Sequence, residues 1–72
     1  MTKYLVQMVE SRPFDPFTIL LEGGHVLDVL SNEFISLEDA VQTAAVYDPA
    51  GHRCYVSVDK IVALKTIHAL EE

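Results

Sequence analysis

The chain of 72 residues, 50% of them apolar, reads as a single domain (residues 1–72), and its lone cysteine excludes an internal disulfide. Eleven acidic residues against five basic ones give a formal charge of −6, so there is no long-range attraction to phosphate backbones, and nucleic-acid binding would need a local basic patch. No segment approaches the ~20 apolar residues of a membrane span, and the first apolar stretch, Tyr4 to Val9, is short and broken by Gln7; a cytoplasmic protein with a reduced thiol is the expectation.

A domain of this size buries only about 60% of the surface its unfolded chain exposes, so a monomer is marginal. With disulfides excluded, association through strand edges or an apolar face is the expected supplement, making a homo-oligomer the expected state and a protein partner a further possibility.

In chain order, Thr2 is placed to cap a short helix over 3–11. Its Leu5, Met8, Val9 and Arg12 fall at i, i+3, i+4 and i+7 on one stripe. Pro13 and Pro16 end it, and the two rings of Arg12-Pro-Phe-Asp-Pro-Phe17 are expected to anchor the helix to a sheet. The first strand alternates Phe17, Ile19 and Leu21 against Thr18, Leu20 and Glu22. Gly23-Gly24 then reverses the chain into His25 to Leu30, where Asp28 reads as a charge facing an edge rather than a catalytic carboxylate.

The middle has two readings. Phe34 to Leu37 and Val41 to Tyr47 fit strand, turn and strand. Alternatively, Ser36-Leu-Glu-Asp39 has capping-box spacing and Ala40 to Ala45 tolerates helix, which gives an α+β chain with a second short helix at 37–44. Asp48-Pro-Ala-Gly51 is the clearest turn, with Pro where φ is preset and Gly where a positive φ closes a hairpin. Beyond it His52, Cys54, Val56 and Val58 share one face, and Arg53, Tyr55, Ser57 and Asp59 the other. Asp59-Lys60 steps into a last strand, Ile61 to Ile67, and the tail 68–72 is expected to fray.

The whole reads as mainly β: a short N-terminal helix, then a five-stranded, bent antiparallel small barrel over 17–67. On its element order and on Leu20-Leu-Glu-Gly23, Asn32-Glu-Phe-Ile-Ser-Leu37 and Val56-Ser-Val-Asp-Lys-Ile61, the chain resembles the Sm-like/Hfq-like superfamily of small SH3-like β-barrels, whose members form RNA-binding rings. It is also similar to uncharacterised small bacterial proteins with an Arg-Pro-Phe-x-Pro-Phe start and a Glu-Phe-Ile-x-Leu middle. The Sm-like resemblance implies Phe34 as the residue that stacks on a base, with Ser36 where the family has Asn, Ser57 where it has Arg, and Lys60 beside it. Val58-Asp59 stands where Hfq-like members carry Lys-His. The resemblance thus carries the fold further than it carries RNA recognition, because stacking without the cation supplies only the sequence-tolerant part.

No enzymatic constellation stands out. His52 and Cys54 put an imidazole and a thiol two apart on one strand face. His25 and His68 offer no ligand spacing to complete a metal site, so Cys54 is expected as a small buried residue beside an exposed turn histidine. Neither metal nor cofactor is expected, and the chain reads as non-catalytic: an oligomerising or protein-interaction module, with the Sm-like RNA-binding ring as the alternative.

Overall fold

Leu5 has no exposed surface, and it fixes where the only helix of the described residues lies. The computed structural model describes residues 2–67. Helix α1 spans Thr2–Glu10, starting and ending one residue earlier than expected, with Thr2 inside its first turn. Met8 and Val9 pack beside Leu5 against the same core, the stripe the spacing predicts. Arg12 closes the helix end: its Nη1 donates to the carbonyls of Val9 at 3.3 Å and Ser11 at 2.8 Å. Phe14 then meets Phe17 at 5.8 Å between ring centroids, with Phe17 fully buried, so the Pro-flanked rings do join helix to sheet.

Six strands follow among the described residues: β1 Phe17–Leu21, β2 Val26–Val29, β3 Ile35–Glu38, β4 Thr43–Tyr47, β5 Arg53–Ser57 and β6 Ile61–Thr66. They form two three-stranded antiparallel sheets, ordered β2-β1-β6 and β3-β4-β5. This corrects the expected five-stranded closed barrel, since no sheet closes among the described residues. The cause is local. A single 3-10 turn at Asn32–Phe34 interrupts the chain between β2 and β3, and another at Val58–Lys60 separates β5 from β6, so each strand pairs within one sheet only.

The core lies between the sheets. Phe17, Ile19, Val29 and Ile61 face it from one sheet, Ile35, Ala44 and Val46 from the other, and Val58 and Leu5 join them. The last strand stops at Thr66, although the Ile67 N–H still donates to the Pro16 carbonyl at 2.9 Å. The expected fraying of 68–72 lies outside the described residues.

Two turns differ in kind. At Gly23 and Gly24, φ values of 83° and 86° reverse the chain between β1 and β2 through left-handed backbone conformations that glycine permits. Between β3 and β4, by contrast, Asp39, Ala40 and Val41 all take positive φ (54°, 54° and 68°), which leaves no second helix at 37–44; the capping-box residue Ser36 sits inside β3. The Gln42 N–H closes this turn onto the carbonyls of Glu38 at 3.1 Å and Asp39 at 3.0 Å.

Candidate functional site

The four residues that the sequence marks for base stacking do not form one site. Phe34 is half-buried at the end of the turn preceding β3, and Ser36 is half-buried on β3. Ser57 ends β5, where its hydroxyl donates to the Asp59 carboxylate, and Lys60 lies beyond it with its ammonium 3.8 Å from Glu22. No hydrogen bond, ion pair or ring contact joins any two of them. The register explains the separation: Ser36 stands across β4 from Tyr55, whereas Ser57 shares its row with Thr43 and Glu38. Ser57 does line a cavity of about 540 Å³, together with Thr2, Val41, Gln42, Val58 and Asp59.

What the fold does bring together lies along the β4–β5 hairpin. Asp48 accepts the His52 backbone N–H at 2.9 Å through one carboxylate oxygen and meets the His52 ring Nδ1 at 3.0 Å through the other. The hydrogen bonds from His52 hold the Asp48 carboxyl below its ordinary range. Gly51, with φ 92°, completes the expected turn. Pairing Asp48 with His52 sets Tyr47 opposite Arg53 and Ala45 opposite Tyr55. The Arg53 guanidinium lies 6.0 Å from the Tyr47 ring centroid and donates to the Tyr55 hydroxyl at 3.2 Å.

That aromatic and cationic trio was not picked out from the sequence. Its signal was available in the Asp48-Pro-Ala-Gly51 turn, which dictates the hairpin register and with it the Tyr47–Arg53 pairing.

Cys54 is exposed, which corrects the expected burial. It is the second residue of β5, an edge strand, and standing opposite the buried Val46 on the inward-facing row does not cover it. His52 is exposed as expected. No hydrogen bond links Cys54 to His52, and among the described residues no group of three or more His, Cys, Asp or Glu side chains is placed to hold a metal ion. No described helix is long and apolar enough to cross a membrane.

Comparison with known proteins returns no match. Neither a family model, a curated protein nor a solved structure is similar to the chain at the level that would assign a family.

Proposed function

We propose that this protein is a non-catalytic oligomerising or protein-interaction module that associates through its strand edges. The observation that carries this reading is the pair of outer edges on β5 and β6. Among the described residues each of these strands has a neighbouring strand on one side only, β4 and β1 respectively, as do β2 and β3 at the other ends of their sheets. Val62 on β6 is 59% exposed and Tyr55 on β5 is 56% exposed, so apolar surface accompanies backbone groups available for pairing. A chain of this size also gains most from covering such surface. Partner strands would come from a second copy or from an extended segment of another protein.

The Sm-like RNA-binding ring is the second reading. Its support is the element order: a helix, then the strands, with a 3-10 turn before the last strand. Against it, the cations are dispersed. Lys3 lies on α1, Arg12 is spent on helix carbonyls, Lys60 stands beside Glu22, and Lys65 shares a cross-strand row with Thr18 and Asp28. Phe34 would still offer a ring for stacking.

Light scattering over the micromolar range tests the first reading. Assembly that Val62→Lys dissolves is the expected result, because an exposed edge lysine blocks pairing without touching the core. Ala63→Pro should act in the same direction by removing a ladder donor. A monomer at every concentration overturns the proposal.

A further inference from the structure

The outer face of the β3-β4-β5 sheet carries a second surface, independent of the edges. Residues directly opposite one another share a face, and so do alternate residues along a strand. Ile35, Ala44 and Val46 point into the core, so Ser36, Glu38, Thr43, Ala45, Tyr47, Arg53, Tyr55 and Ser57 point outward.

Charge and size are unevenly distributed over this face. Arg53 occupies one corner, fixed between two tyrosine rings and facing no carboxylate; Glu38 occupies the diagonally opposite corner, exposed and with no side-chain partner. The large side chains, Tyr47 and Tyr55, lie on the Arg53 side, and the small ones, Ser36 and Thr43, on the Glu38 side. Ala45, at the centre, has no exposed surface although it lies outside the core cluster, so its neighbours close over it.

We propose that this face is self-complementary and forms a two-fold dimer of the chain, with Arg53 of one copy against Glu38 of the other. The geometry follows from strand spacing. Neighbouring strands lie about 4.8 Å apart, and alternate residues about 6.7 Å apart along a strand. A two-fold axis in the plane of contact, perpendicular to the Arg53–Glu38 diagonal, exchanges those two corners. The same rotation sets Tyr47 over Ser36 of the second copy and Tyr55 over its Thr43, large against small. The strands then cross steeply, within the range of orthogonal sheet packing. Two ion pairs form by symmetry, and an isologous contact of this kind closes at two copies. The dimer uses the face of the sheet, so it stands or falls separately from edge pairing.

The test is charge reversal read by sedimentation. Both residues are exposed, so the variants keep the fold, which circular dichroism checks. Arg53→Glu and Glu38→Arg are each expected to weaken dimerisation tenfold or more, and the double variant to restore it, because the reversed pair recovers its complement. Val62→Lys is expected to leave this dimer intact. Amide chemical-shift changes of the unmodified protein on dilution should fall on Ser36, Ala45, Tyr47, Arg53 and Tyr55. A monomer throughout, single variants without effect, a double variant that fails to recover, or shifts confined to β6 would each overturn the proposal. Loss of assembly in Val62→Lys but not in Arg53→Glu would leave the edge reading standing and remove this one.

Discussion

Asp48 grips His52 twice, accepting the backbone N–H through one carboxylate oxygen at 2.9 Å and meeting ring Nδ1 through the other at 3.0 Å. These hydrogen bonds favour the ionised carboxyl and lower its pKa in the folded chain. A depressed folded-state value means that the contribution is complete above the unfolded aspartate range and is lost as pH falls through the folded value. Asp48→Asn keeps an acceptor for the N–H but loses the charge. Denaturant unfolding of this variant and the parent should therefore differ at neutral pH and converge in acid. A stability gap that stays constant down to strongly acidic pH would contradict the assignment.

The β4–β5 hairpin was legible because its turn residues are specific: Pro49 and Gly51 serve backbone conformations that other residues resist. Likewise the alternation of Phe17 and Ile19 marked the buried face of β1, where both have no exposed surface. The split of the expected barrel into two sheets was not legible. Ser31-Asn32 favours a turn, but without Gly or Pro nothing in Asn32-Glu-Phe34 announces that it stops β2 and starts β3 in another sheet. The scattering of Phe34, Ser36, Ser57 and Lys60 has the same origin, since motif order along the chain says nothing of register across β4. Cys54 was misplaced because strand alternation assigns a face and ignores distance from the core.

The turn between β3 and β4 offers a second prediction. Asp39, Ala40 and Val41 sit in left-handed backbone conformations, each costing of order 1–3 kcal/mol for a non-glycine residue. Ala40 is exposed and its side chain serves no contact in the core. Ala40→Gly removes the steric penalty at φ 54° while adding unfolded-state entropy of roughly 0.5–1 kcal/mol. The balance favours the variant by roughly 0–2.5 kcal/mol, seen as a higher midpoint in thermal unfolding. A lower midpoint would mean that the conformation carries no strain.

Core packing gives a third. Leu5 is the single fully buried side chain through which α1 joins the sheets. Leu5→Ala removes its contacts with the core and should cost about 2–5 kcal/mol. In a domain whose stability is commonly about 5–15 kcal/mol, that is enough to release the helix and broaden the unfolding transition. Helical circular dichroism and midpoint measured together would show it; an unchanged midpoint would mean that the sheets hold without the helix.

The fourth concerns the thiol. Exposure of Cys54 on an outer strand places its sulfur within reach of a water-soluble maleimide in the native state. Labelling of the folded protein should proceed at a rate near that of the denatured chain, and a large protection factor would restore the buried assignment.

The last concerns RNA. Counterion release rewards lysine and arginine contacts, and this chain carries −6 overall, with Ser57 donating to the Asp59 carboxylate. Affinity for short U-rich or A-rich single strands at physiological salt should therefore stay in the non-specific range of about 10⁻⁴–10⁻⁶ M or weaker. Fluorescence anisotropy measures it directly. Were tight binding found, Phe34→Ala should remove about 1–3 kcal/mol of it, the worth of one stacked base, and Ser57→Arg should strengthen it. Tight binding untouched by Phe34→Ala would move the contact elsewhere, and the exposed Tyr55 beside Arg53 would be the next ring to substitute.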